Sequence, residues 1–167
     1  MSQFRSKKSL SLLLTSFFVL ATSTTLAQTT PSWVPVAELL LGSIGQSDAT
    51  RMTEVMHRCT ALNMTLSALT ADDFPEISEG YEHQALQLIQ NGIMIQMNTE
   101  KLRTGIEAVI EQQSDLAVGA VKNMLAVYSQ WLEDNFQDKA SYFSNDLEVE
   151  MKGCELATKL ILQKPAL

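Results

Sequence analysis

Cysteine, proline and glycine are all scarce in this chain of 167 residues, which contains 2 Cys, 4 Pro and 7 Gly. The low cysteine count excludes a disulfide-rich miniature scaffold, and the low proline and glycine content excludes a collagen-like or low-complexity chain. Aromatic residues contribute 7% of the sequence, whereas hydrophobic residues as a whole contribute 46%. That apolar content is typical of one ordinary globular domain with a packed core.

Basic patches and strand patterns are missing as well. The chain has 12 Lys and Arg against 19 Asp and Glu, which gives a formal net charge of −7. A negative field repels phosphate backbones, and residues 28–167 contain no Lys/Arg cluster with interleaved aromatic residues that would counter it, so nucleic-acid binding is not expected. No strand-length run alternates apolar and polar residues, which leaves the helix as the predicted secondary structure.

The start of the chain has the three parts of a secretory signal peptide. Arg5, Lys7 and Lys8 precede an apolar run over residues 10–20, and small residues follow as far as Ala27. The run has 11 residues, whereas a membrane-spanning helix needs about 20. We therefore expect cleavage after Ala27, export to the periplasm or the extracellular space, and no membrane span in the mature chain. An uncleaved membrane anchor is the less favoured alternative.

The sequence divides into three predicted segments. Residues 1–27 form the signal peptide, residues 28–46 a lead segment with a short capping helix, and residues 47–167 the helical bundle domain. The signal peptide holds three of the 12 basic residues and none of the 19 acidic ones, so residues 28–167 carry a net charge of −10. We interpret this acidity as the solvated surface of an exported protein.

Cys59 and Cys154 are the two cysteines of the chain. An even pair in an oxidising compartment is expected to form one intramolecular disulfide bond. Neither cysteine belongs to a Cys-x-x-Cys motif, so we predict a structural bond rather than a redox-active one. A bonded pair leaves no free thiolate for zinc or for nucleophilic attack.

Apolar residues recur at steps of three and four in four long segments, which is the pattern of helices that bury one face. The first two stripes consist of Met52, Val55, Cys59, Leu62, Leu66 and Leu69, and of Ile77, Tyr81, Ala85, Leu88, Gly92 and Ile95. The last two consist of Ile106, Val109, Ile110, Ala117, Ala120, Val121, Met124, Tyr128 and Trp131, and of Phe143, Leu147, Met151, Cys154, Ala157 and Ile161. We predict an all-α fold, an antiparallel bundle of about four helices that is stapled by the disulfide.

Individual residues indicate where the brief helix begins and ends and where the first long helix begins. A brief helix opens at Pro35, because proline suits the first turn of a helix, and Gly42 and Gly45 are expected to end it. The first long helix is expected to begin at Ser47 or Asp48, since either side chain can accept hydrogen bonds from the free amides of the first turn.

The later helix ends are less sharply marked. The break between the second and third long helices stays open. Asn98–Thr99 and Thr104–Gly105 are the favoured places, because glycine is poor in a helix interior and Thr104 with Glu107 matches a capping box. Residues 112–115 offer a competing interruption, since Ser114 or Asp115 could start a fresh helix. The third long helix is expected to end near Asn135. The last one is expected to begin between Lys139 and Asn145.

The second long helix is apolar on two sides, because Leu86, Ile93 and Met97 line up on a face away from its main stripe. Such a helix is either the central helix of its bundle or offers one face to another molecule. We favour the central position. Leu86, Ile93 and Met97 are nevertheless the candidate interaction face, for an unknown protein partner or for a second copy of the chain.

Glu54 and His57 form the sharpest chemical fragment, an E-x-x-H spacing of the kind that di-iron bundle proteins use. Such a site needs a second E-x-x-H, but the other histidine, His83, has Gly80 at the equivalent position. Glu54 and His57 also lie opposite the apolar stripe of their helix. We therefore predict solvation or a surface ion pair for both, and no metal site.

No catalytic, cofactor-binding or metal-binding residue emerges from these patterns, because no known chemistry requires the observed residue types at the observed spacing. We predict a protein that is not an enzyme, needs no cofactor and acts as a non-catalytic interaction or accessory module. The alternative is a carrier that holds a small ligand or a metal between helices lined by Met, Tyr and Trp. Methionine is frequent enough after residue 27 to serve either purpose, although filling of the core is its simpler role.

Overall fold

The computed structural model describes residues 34–139 and 141–162. Over this range the chain forms five α-helices and no strand. They are α1 (Val36–Gln46), α2 (Ala49–Thr70), α3 (Pro75–Thr104), α4 (Ile110–Lys139) and α5 (Asn145–Leu162). The all-α bundle is confirmed, with five helices rather than about four because the lead segment contains a full helix. The predicted signal peptide and its cleavage site at Ala27 lie outside the described residues.

The central helix of the bundle is α2, which contacts all four other helices. Twelve of its 22 residues are buried, whereas α3 buries only Ser78, Ala85, Leu88 and Gly92. The prediction that the second long helix, α3, is central is therefore wrong. The sequence of α2 looks too polar for this position, but Thr60, Asn63 and Thr65 each donate to a carbonyl one turn earlier, at 2.8 to 2.9 Å. Their polar groups are satisfied within the helix and can be buried at little cost.

The core surrounds α2 and takes side chains from every helix. Its largest fully buried members are Leu40, Met56, Leu62, Leu88, Tyr128 and Leu147. Complete burial of one leucine side chain contributes about 1.5–3 kcal/mol. These contacts bring the five helices into one bundle around a single apolar interior.

The disulfide between Cys59 and Cys154 is present and joins α2 to α5, with 5.2 Å between the two Cα atoms. The predicted pairing is confirmed. A disulfide is also consistent with an oxidising compartment.

The start of α2 follows the local signal, because the Asp48 carboxylate accepts hydrogen bonds from the amides of Thr50 and Arg51 at 3.0 and 3.1 Å. The expected end of α1 at Gly42 and Gly45 is wrong, since the helix continues to Gln46. One side of α1 is buried against the core, and that burial outweighs the helix penalty of about 1 kcal/mol for each glycine.

The junctions around α4 are set by backbone conformation and by local side chains. Gly105 ends α3 in the left-handed region at φ 71°, which confirms Thr104–Gly105 as the break. Helix α4 runs to Lys139, past the expected end near Asn135, and Gln137 donates to Glu133 across the added turn at 2.9 Å. Helix α5 begins at Asn145, within the predicted interval.

Candidate functional site

A buried polar cluster joins α2, α4 and α5 beside the disulfide. Arg58 donates from Nε to Glu150 Oε1 at 3.1 Å and also contacts that oxygen through Nη2. The Tyr128 hydroxyl donates to the same oxygen at 2.6 Å. The cluster extends to the beginning of α1, because Arg58 Nη1 donates to the Val34 carbonyl at 2.7 Å and the Val36 amide donates to Glu150 Oε2 at 3.2 Å.

The positive charge of Arg58 balances the negative charge of Glu150, so this cluster stabilises the packing of the helices. Burial and the Glu150 carboxylate raise the pKa of Tyr128 far above its usual value, so the phenol stays neutral and keeps donating. Burial opposes the charge of Arg58, but Glu150 and Tyr128 outweigh that effect and the net pKa change is upward. Neither Arg58 nor Tyr128 can therefore exchange a proton near neutral pH, and neither is suited to acid–base chemistry.

Sequence reasoning missed this cluster because isolated Arg and Glu residues ordinarily lie on the surface. One signal could have found it. Arg58 adjoins Cys59, and Glu150 lies one helical turn before Cys154. A disulfide between the two cysteines brings the flanking charges to the same level of the bundle.

Glu54 and His57 are separated by the fold. Glu54 is exposed, as predicted, whereas His57 is buried, so the predicted exposure of His57 is wrong. Helix α3 packs closely on α2 at Gly92, where a Cβ would lie 3.1 Å from Met56 Cβ and in ordinary van der Waals contact with the His57 ring. Burial lowers the pKa of His57, so the imidazole is held neutral. Within the two described ranges, no three His, Cys, Asp or Glu residues are grouped to hold a metal ion.

The three residues of the candidate interaction face differ in how far they are exposed to solvent. Leu86 is exposed, whereas Ile93 and Met97 are each half-buried. The three residues share α3, but only Leu86 is freely available to another molecule. The role of this face in an intermolecular contact stays a prediction.

A different apolar surface surrounds the connection between α3 and α4, and we call it the apolar tip. It consists of Leu102, Ile106, Val109 and Ile110, whose exposed fractions are 89%, 71%, 60% and 58%. The expectation that Ile106, Val109 and Ile110 face the core is wrong, because α4 begins only at Ile110 and the preceding residues form a non-helical connection. The helical spacing of these apolar residues is present in the sequence, but it continues through residues that do not form a helix.

Charges of both signs border the apolar tip. Lys101 Nζ lies 3.6 Å from Glu107 Oε1 across the connection. Arg103 donates to both carboxylate oxygens of Glu100, at 3.0 and 2.6 Å. The border is therefore made of paired charges rather than of one sign.

A groove of about 450 Å³ opens between α2, α3 and α5 next to Cys154. Its apolar wall is formed by Leu62, Leu66, Tyr81 and Met151. Its remaining wall is polar and consists of Asn63, Gln84, Glu148, Lys152 and Glu155. The volume is within the range of small-molecule sites, which is about 300–1,000 Å³.

Comparison with known proteins adds no assignment, since no family model, no curated protein and no solved structure matches the chain. Among the helices of the described residues, none is both long and apolar enough to cross a membrane. A functional proposal for this chain therefore rests on the surfaces described above.

Proposed function

We propose that the protein is a non-catalytic interaction module of an exported compartment and that its docking surface is the apolar tip. The observation that carries the proposal is the grouping of four large apolar side chains, each more than half exposed, around one interhelical connection. Leu102 is the most exposed large hydrophobic residue of the described ranges. A grouped apolar surface that is bordered by polar residues is typical of a protein–protein contact.

The occupant that we propose for the apolar tip is a second copy of the same chain. In a twofold dimer the same surface is used by both subunits, so the surface must complement itself. The paired charges Lys101–Glu107 and Glu100–Arg103 meet this condition, because each sign on one copy can face the opposite sign on the other. A border of a single sign would repel its own copy.

The dimer is expected to be weak. The four side chains of the apolar tip expose at most several hundred Å², whereas a standard interface buries about 800 Å² on each partner. Association also costs translational and rotational freedom, which a small apolar contact only partly offsets. We therefore expect a monomer–dimer equilibrium with a dissociation constant on the order of micromolar or weaker.

Sedimentation velocity over a concentration series of the disulfide-bonded protein tests this proposal. Ile106→Glu places a charge on the apolar tip without entering the core and should shift the equilibrium to monomer. Leu160→Glu changes an exposed leucine of α5 and should leave the equilibrium unchanged. A wild-type protein that is monomeric throughout, or an Ile106→Glu variant that dimerises normally, would contradict the proposal. Loss of the dimer in Leu86→Glu alone would assign the contact to the candidate interaction face instead.

A second function, carriage of a small ligand, is favoured by the groove between α2, α3 and α5. Its wall contains Tyr81 and Met151, two of the residue types expected for a carrier of this kind. Native mass spectrometry of the protein recovered from its exported fraction tests this function. A reproducible extra mass that is lost in a folded Tyr81→Ala variant would support carriage, and the bare protein mass alone would contradict it.

A further inference from the structure

A second cavity, of about 210 Å³, lies where the start of α2, the end of α3 and the start of α4 meet. We call it the polar pocket. Its polar lining consists of Thr50, Thr53, Gln96, Thr99, Glu100 and Gln113. The volume corresponds to roughly seven water molecules at about 30 Å³ each, which is the size range of a monosaccharide. The pocket is separate from the groove beside the disulfide.

The polar pocket presents hydrogen-bonding groups that the chain itself does not use. Thr53 is 8% exposed and Gln113 is 9% exposed, neither side chain hydrogen-bonds to another residue of the described ranges, and the polar atoms of both reach the solvent of the pocket. Thr60 and Thr65, the next buried threonines of α2, both donate to their own helix. Thr53 departs from that arrangement, so its hydroxyl is available to a molecule in the pocket.

Gln96 adds to this unused capacity. Its Oε1 atom is buried and accepts no hydrogen bond within the part of the chain that is described. Buried polar groups in proteins are nearly always paired, either with protein or with ordered water. Gln96 therefore marks an incompletely satisfied wall of the cavity, and the groups that face its solvent come from two other helices, from Thr53 and Gln113.

The lining selects a neutral ligand. Hydroxyl and amide groups both donate and accept hydrogen bonds, which suits a molecule that carries several hydroxyls of its own. The one charged lining residue, Glu100, is already engaged by both hydrogen bonds from Arg103. Among the residues that the structure describes, no Lys, Arg or His lines the cavity, so an anion such as phosphate finds no counter-charge from them.

We propose that the polar pocket binds a neutral polyhydroxylated molecule of monosaccharide size, either free or as the end unit of a glycan. Thr53 and Gln113 bind its hydroxyls, and the ligand contacts α2, α3 and α4 at once. The proposal has a test of its own, separate from that of self-association through the apolar tip. The residues that carry it, Thr53 and Gln113, belong neither to the apolar tip nor to its charged border.

The test is a titration of the ¹⁵N-labelled protein with D-glucose, D-galactose, N-acetylglucosamine and myo-inositol, followed by amide chemical shifts. We expect saturable shifts at Thr50, Thr53, Thr99 and Gln113 with at least one of these probes. Thr53→Val removes the hydroxyl at constant shape and should weaken binding by about tenfold. Thr60→Val is the matched control, because its hydroxyl donates within its helix and its residue does not line the pocket.

A second variant and a second set of ligands complete the experiment. Gln113→Leu repeats the test from a different helix, so a Thr53→Val variant that fails to fold does not end the experiment. Comparison of glucose, galactose and N-acetylglucosamine with their methyl glycosides and with disaccharides that end in them separates a free sugar from a glycan end. The proposal is overturned if no probe gives saturable shifts at these residues, in which case water alone occupies the pocket. It is also overturned if Thr53→Val and Gln113→Leu both bind like the wild type.

Discussion

Arg58 of α2 and Glu150 of α5 form a buried ion pair beside the disulfide that joins the same two helices. Both partners also bind main-chain atoms at the start of α1, since Arg58 donates to the Val34 carbonyl and Glu150 accepts from the Val36 amide. The ion pair thereby extends the covalent link to a third helix. The ion pair, its main-chain hydrogen bonds and the disulfide together join helices α1, α2 and α5.

The first prediction concerns this ion pair. Arg58→Met leaves the Glu150 carboxylate buried without its cation, and removal of one partner from a buried pair typically costs about 3–5 kcal/mol. Urea unfolding should show a loss of that size. Arg51→Met is the matched control, because Arg51 pairs with Asp48 at the surface and such pairs contribute only about 0–1 kcal/mol. Equal losses in the two variants would contradict the structural role of the cluster.

The second prediction concerns the disulfide. The bond closes a loop of 95 residues, and in the chain-entropy model such a loop contributes roughly 4–5 kcal/mol. The double variant Cys59→Ala, Cys154→Ala should lower the urea midpoint, and reduction of the wild type should lower it similarly. Intact mass under non-reducing conditions should show no free thiol. Two titratable thiols in the native protein would be the contrary result.

A pair of glycine substitutions tests how closely α1 lies on α5. A Cβ at Gly153 would be 2.8 Å from the Ala37 amide nitrogen, a backbone atom that cannot move by itself. Gly153→Ala should therefore destabilise the protein by about 1–3 kcal/mol and increase hydrogen exchange in α1. At Gly119 a Cβ meets nothing within 4 Å, so Gly119→Ala should stabilise α4 by about 0.5–1 kcal/mol. Both substitutions replace glycine by alanine, so their opposite effects on stability come from the surroundings of the two positions.

The last prediction is a pH dependence that arises from His57. Burial lowers the pKa of His57 below 6.5 in the folded protein, so the unfolded chain binds the proton first as the pH falls. This group leaves stability unchanged above about pH 6.5 and reduces it as the pH falls toward the folded-state pKa, by at most about 1.4 kcal/mol per pH unit.

The comparison is urea unfolding at about pH 7.5 and about pH 5.5. His57→Gln removes the titrating group, so the stability difference between the two pH values should shrink. His83→Gln is the matched substitution at an exposed histidine. An identical pH response in wild type and His57→Gln would show that another group is responsible.

The sequence by itself determined the features that depend on local structure or on residue type. Asp48 starts α2 because its side chain reaches amides two and three residues away, and Gly105 ends α3 because glycine tolerates a positive φ. The helical class follows from apolar residues at steps of three and four. The pairing of Cys59 with Cys154 follows from there being two cysteines.

Only the tertiary structure decided which polar residues are buried and which apolar residues are not. Arg58 is buried because Glu150, 92 positions away, balances its charge. The helical spacing of residues around Arg58 cannot indicate a partner so distant in the sequence. His57 is buried because α3 packs against α2 beside it, with Gly92 at the contact. Ile110 keeps the apolar period of α4 and is still 58% exposed, because it is the first residue of the helix and adjoins the exposed connection from α3. Periodicity reports which side of a helix is apolar, whereas burial depends on what lies opposite that side in space.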